Sequence, residues 1–254
     1  MELIFEGRPS KSFCFSMVFN IGWRHEPQNM RGSVLEMLEK LSESVREEIP
    51  SYFEVSRSVD AEFSEIRVWG TSDEADFLLK VIQMVFSFPH SVFLELGGGP
   101  LFTVAVGAIR SEILREIEKM KAPTPSKVPK LHIKPRNFLK VFELTRLEEF
   151  FLYHFLKDSN QEVYLELSPF GDRIHYGKFF RLPLFSEVSG YKNKFKAIIA
   201  KKIETTEGAV DFLVKLNIFK RSKVLIKDTF EDLENINLLR RLDVIEKMFR
   251  RFRG

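Results

Sequence analysis

The sequence predicts an α+β protein made of two α/β layers, with mostly antiparallel sheets and helices packed on one face. Three observations lead there. In the first half of the chain, segments that alternate polar and apolar residues trade places with segments of helical spacing. The composition, 44% hydrophobic and 30% charged over 254 residues, is that of a globular chain able to bury its own core. A proline-rich stretch near the middle then separates two parts that differ in charge.

Residues 2–6 form a short strand, and residues 11–21 (KSFCFSMVFNI), rich in aromatic and branched side chains, form a second with one face on a core. The loop from Gly22 to Asn29 carries turn chemistry. Val34, Leu38, Leu41 and Val45 recur at helical intervals, so residues 31–49 are an amphipathic helix. Beyond Pro50, residues 52–57 and 61–69 read as a hairpin whose second arm alternates apolar and charged positions, leaving a charged face for water or a partner. Thr71-Ser72-Asp73-Glu74 has the chemistry of a helix N-terminus, and the apolar run from Phe77 to Phe88 makes that helix. Gly97-Gly98-Gly99-Pro100 interrupts the chain without the Lys-Ser/Thr pair or the G-x-G-x-x-G spacing of a phosphate loop. Residues 101–121 are expected to be helical through Ile109, Ile113, Ile117 and Met120.

Residues 122–130, with Pro123, Pro125 and Pro129, form an extended linker between domains 1–121 and 131–254. Residues 1–128 carry 14 Lys and Arg against 19 Asp and Glu, and residues 129–254 carry 25 against 17. In the second, basic α+β domain, strands are expected at 137–144, 161–167, 174–181 and 222–227. Helices are expected at 146–157, 191–203 and 206–218, and from Phe230 to Phe252.

A single cysteine, Cys14, excludes an intramolecular disulfide and a thiolate zinc cluster, and its setting between Phe13 and Phe15 is that of a small core residue. With no signal-like start and no long apolar run, the chain reads as cytoplasmic. Abundant Lys, Arg and Glu beside three Gln lean towards a heat-adapted composition. His25, His90, His132, His154 and His175 are never paired at i,i+3 or i,i+4, so no local histidine metal motif exists.

Four segments fall in a telling order: VFNIGWRHEP (18–27), GSVLEMLEKL (32–41), the hairpin from Phe53 to Trp69, and the helix from Ser72 to Pro89. Over residues 11–121 this succession resembles the N-terminal domain of the insulinase/pitrilysin and mitochondrial-processing-peptidase family, inverted zincins whose metal motif is H-x-x-E-H. The resemblance implies a metallopeptidase-like fold of the processing-peptidase type. It also implies the fate of the motif. Glu36 replaces the first metal histidine, Glu39 keeps the general-base position, Lys40 replaces the second histidine, and Glu116, 76 residues after Lys40, keeps the glutamate ligand.

Zinc in such a site needs two neutral imidazoles and a carboxylate to bring its bound water to a pKa of roughly 7. Lys40 puts a cation where a cation must bind. Neither a metal nor a cofactor is therefore expected, although three carboxylates leave a hard divalent ion as an alternative. Glu36 and Lys40 also read as an ordinary i,i+4 pair on a solvated face, worth roughly 0.2–0.5 kcal/mol.

The expectation is a non-catalytic peptidase homologue that acts through protein or peptide binding. It would be a homodimer or the inactive subunit of a heterodimer with a catalytic chain. Two alternatives stay open: a metal-dependent hydrolase with a non-standard site, and a basic nucleic-acid-binding protein. The second rests on Lys192, Lys194, Lys196, Lys201 and Lys202 with Phe195, and on Arg240, Arg241, Lys247, Arg250, Arg251 and Arg253.

Overall fold

The computed structural model describes residues 2–88, 95–121, 129–134, 138–140, 146–159, 163–166, 173–176, 185–218, 224–235 and 246. The chain divides into two compact units, Met1–Lys134 with Thr205–Lys215, and Pro135–Glu204 with Leu216–Gly254.

The first unit is built on a five-stranded sheet. Its strands are β1 (Glu2–Gly7), β2 (Ser12–Phe19), β3 (Glu54–Val59), β4 (Ser64–Thr71) and β5 (Pro100–Gly107), in the order β1-β5-β2-β4-β3. All neighbours are antiparallel except β1 and β5. Period-two alternation in β2 sends Phe13, Phe15, Met17 and Phe19 to one face. Three helices supply the opposing apolar stripes: α1 (Ser33–Glu48) with Val34, Leu38, Leu41 and Val45, α2 (Phe77–Ser87) with Leu78, Val81, Ile82 and Val85, and α3 (Ser111–Lys119) with Ile113 and Ile117. Burying each such side chain contributes about 1.5–3 kcal/mol, so this layer dominates the unit's stability.

Residues 101–121 differ from the expected helix. Their first part is β5, hydrogen-bonded on both edges, and only residues 111–119 are helical. A strand buried on both faces carries a continuous apolar run, here LFTVAV, which periodicity alone cannot tell from a buried helix. The capping stretch at 71–74 also differs: Thr71 ends β4, residues 72–74 make one 3₁₀ turn, and α2 begins at Phe77 without a side-chain cap. The charged face of β4 does not meet open water either, for Glu65 and Arg67 are both more than nine-tenths buried. Cys14 is fully buried, as its apolar setting predicts, and burial pushes its thiol up to about 12.

The second unit contains a three-stranded antiparallel sheet, β6 (Phe138–Lys140), β7 (Val163–Glu166) and β8 (Arg173–Tyr176), ordered β6-β8-β7. Helix α4 (Arg146–Asp158) packs on α5 (Phe185–Lys202) through edge-on contacts of Phe151 and Phe155 with Tyr191 and of Phe151 with Phe195. Helix α6 (Thr206–Asn217) follows, its residues up to Lys215 belonging to the first unit. Helix α7 (Ile226–Glu234) takes residues expected to close a strand at 222–227, because Asp228 accepts the Leu225 N–H and starts a helix there. The remainder of the helix expected from Phe230 to Phe252 lies outside the described residues, apart from Asn235 and Glu246. Among the described residues, no helix is long and apolar enough to cross a membrane.

Candidate functional site

The turn that follows β2 sets the position of α1. Gly22 sits so close to the 60–61 turn that a Cβ there would lie 2.2 Å from the Asp60 carbonyl oxygen, which only glycine avoids. The next two residues bond to the same turn, Trp23 N–H to the Asp60 carbonyl (3.1 Å) and Arg24 N–H to the Ala61 carbonyl (2.9 Å). Gly32, the residue before α1, has φ +86° and no side chain with which to cap the helix. Buried Glu26 supplies the missing acceptors: Oε2 takes the Gly32 N–H and Oε1 the Val34 N–H, each at 2.8 Å. A carboxylate at a helix N-terminus satisfies orphan donors and complements the helix dipole.

Further along α1 lie Glu36, Glu39 and Lys40, the positions that the sequence resemblance assigns to the metal motif. The Lys40 ammonium donates to Glu36 Oε1 at 2.7 Å, with both side chains about two-thirds exposed. This contact holds the Glu36 carboxyl below its usual range and raises the Lys40 ammonium, through the hydrogen bond first and then the charge attraction. Glu39 faces sideways and pairs with Arg57 of β3, while Arg46 Nη2 donates to the Val55 carbonyl at 2.7 Å. Together these two arginines clamp α1 along β3.

Glu116, on α3, pairs instead with Lys119 one turn away, at 2.6 Å. Each of the carboxylates Glu36, Glu39 and Glu116 therefore has its own cation. Among the described residues, no group of three or more His, Cys, Asp or Glu side chains is gathered so as to hold a metal ion. His25 is buried beside this turn, where its Nδ1 accepts the Gly22 N–H at 3.0 Å. His154 packs against Phe195 in the second unit, with ring centroids 5.7 Å apart.

The basic candidates divide. Arg240, Arg241, Lys247, Arg250, Arg251 and Arg253 lie outside the described residues. Of the lysines on α5, Lys194 pairs with Asp158 at 2.6 Å, and Lys192 and Lys196 both pair with Glu234, so they do not form a free phosphate-binding stripe. Phe195 is buried core rather than a stacking platform.

Sequence reasoning missed one ionic cluster altogether. Arg67 donates to Glu65 at 2.6 Å, Ser16 and Ser58 donate to the same carboxylate at 2.8 and 3.2 Å, and Asp211 and Glu207 of α6 stand 3.7 and 3.8 Å from the guanidinium. Same-face placement of 65 and 67 was legible from the strand period. Their burial was not, because the acidic partners come from a helix 140 or more residues further on.

No family model matches the chain, and no curated protein matches its sequence. Solved structures do match its fold. A protease from Helicobacter pylori aligns with TM-score 0.61 at 10% identity, covering 96% of this chain and 93% of that one. An M16-like peptidase from Alicyclobacillus acidocaldarius aligns equally well, with TM-score 0.61 at 10% identity over 96% and 91%. A chain of complex III2 from Candida albicans aligns with TM-score 0.56 at 11% identity over 96% and 90%. At such identities the likeness is one of fold, and the fold of this chain is that of the M16-like peptidases.

Proposed function

We propose that the protein is a non-catalytic relative of these peptidases that works by binding an extended peptide or a protein partner, as a homodimer or as the inactive subunit of a hetero-oligomeric peptidase. The observation that carries this reading is the pairing on α1. Glu36 and Lys40, which the sequence resemblance assigns to the two imidazole positions, are bonded to each other, and Glu39, which it assigns to the general base, is tied to Arg57. A zinc ion there would meet the Lys40 charge and lack both nitrogen ligands. The complex III chain supports the partner reading, since that fold neighbour is part of an assembly.

What remains usable is the sheet edge beside α1. Among the described residues, no strand pairs with the outer side of β3. Apart from the Val55 carbonyl, which Arg46 already holds, its outward N–H and C=O groups can accept an added strand, with affinity from the main chain and specificity from flanking side chains. Arg46 and Arg57 hold that edge rigidly against α1, which lowers the entropic cost of binding.

The test combines metal analysis with binding. The purified protein, equilibrated with excess zinc and desalted, is expected to retain no stoichiometric metal and to bind extended peptides equally with and without chelator. Stoichiometric zinc lost together with peptidase activity in Glu39→Gln overturns the reading and establishes the non-standard hydrolase in its place.

A further inference from the structure

Resting on the homodimer form of the reading above, we infer that two copies of the chain meet at the other edge of this sheet, β1 against β1, antiparallel about a two-fold axis through Phe5. β1 ends the strand order β1-β5-β2-β4-β3, and among the described residues no strand pairs with its outer side. The Arg8 N–H donates to the Gly107 carbonyl beside β5 at 3.3 Å, so the even-numbered residues aim their backbone groups at β5. Leu3, Phe5 and Gly7 therefore aim theirs outward.

This edge lacks the devices that keep strands apart. Its residues, ELIFEG, hold neither Lys nor Pro, and the register with β5 runs without a bulge from Glu2 to Gly7. Consecutive Leu3 and Ile4 are both buried, so the strand is packed on both faces and its outer edge is held in an extended form. A preordered edge offers its N–H and C=O groups at little entropic cost.

Charge selects the register. Two-fold pairing must keep the core faces of the two sheets on the same side, which makes every alternative a slip of whole side-chain periods. Centred on Phe5, the pairing sets Leu3 of one copy against Gly7 of the other as a hydrogen-bonded pair, and Glu2 against Arg8 at each end. Centred on Ile4 it sets Glu2 against Glu6, and centred on Glu6 it sets that carboxylate against its own copy. Like charges placed across a strand pair destabilise it, so the Phe5 centre wins. The rings also clear each other there. A Cβ on Gly7 would lie 3.5 Å from the Phe5 ring, so each ring leans over its own Gly7 and away from the axis.

A strand edge of this length buries less than a standard interface, so a dissociation constant on the order of micromolar is expected. The experiment follows the full chain, free of an N-terminal tag, by sedimentation velocity from about 1 to about 200 μM, where reversible dimerisation is expected. Glu2→Arg turns both end pairs into repulsions and is expected to weaken the dimer at least about tenfold, and adding Arg8→Glu to restore it to within about threefold. Gly7→Pro removes an outward N–H that β5 does not use, and should weaken the dimer to a similar extent while circular dichroism stays native. A dimer indifferent to all these variants keeps the homodimer and overturns its placement on β1. A loss that the charge swap leaves unrepaired overturns the Phe5-centred register, and this inference with it. A chain that stays monomeric throughout overturns the homodimer form as well and leaves the hetero-oligomeric one.

Discussion

Two ion pairs in the first unit have the same chemistry and opposite settings. Glu36 and Lys40 meet at 2.7 Å on a solvated helix face, while Glu65 and Arg67 meet at 2.6 Å with about a tenth of each side chain exposed. The first occupies the most conspicuous positions in the sequence, yet water screens it and pays most of its energy back on separation. The second carries no motif, but removing Arg67 leaves the buried Glu65 carboxylate without its cation among Ser16 and Ser58, whereas Arg67 without Glu65 would keep the more distant Asp211 and Glu207. Proximity therefore says little about energetic weight until burial is known.

That contrast is easiest to break at its buried end. Arg67→Ala is expected to cost roughly 3–5 kcal/mol in urea denaturation, because Glu65 loses its cation. The double change Glu65→Met with Arg67→Met should recover most of that loss, since no charge is then left unpaired. A single-variant cost below about 1 kcal/mol would remove the distinction between the two pairs.

Glu26 sits between the extremes, buried but bonded to neutral backbone donors. Glu26→Ala should lose about 1–3 kcal/mol in thermal melts followed by circular dichroism, and Glu26→Gln, which keeps one acceptor oxygen, less.

Cys14 tests the same layer through pH. Its folded thiol is raised to about 12 from an ordinary value of 9.0, so folding favours the protonated form. That contribution is complete below pH 9 and is lost as the pH rises from 9 towards 12. Urea midpoints of the wild type should therefore fall more steeply between pH 9 and 11 than those of Cys14→Ala, and the native thiol should resist alkylation at pH 8. The smallest effect belongs to the most conspicuous residue: Lys40→Gln is expected to leave the urea midpoint unchanged, because water screens its pairing with Glu36.

Legibility in the sequence followed the same physics. The helices at 33–48 and 77–87 and the strand β4 were readable because one face of each is apolar and the other polar, which writes a period into the residues, and β2, buried on both faces, was readable from its aromatic and branched side chains and the alternation at its start. β5 was not, because burial on both faces erases that period. Glu36, Glu39 and Lys40 were legible as a face of one helix, and their mutual pairing followed from helical spacing. The partnership of Glu39 with Arg57 was not legible, since it depends on which strand lies beside the helix.

By itself, then, the sequence determined the local elements, the α+β class and the absence of imidazole at positions 36 and 40, because these depend on residue type and short-range spacing. Tertiary structure decided that Glu26 caps α1, that Arg67 is buried against acids of α6, and that β3 lies at the edge of its sheet with Trp23 bonded to the residue that follows it. Those outcomes bring together residues separated by a turn, a sheet or most of the chain, and no local periodicity encodes such distances.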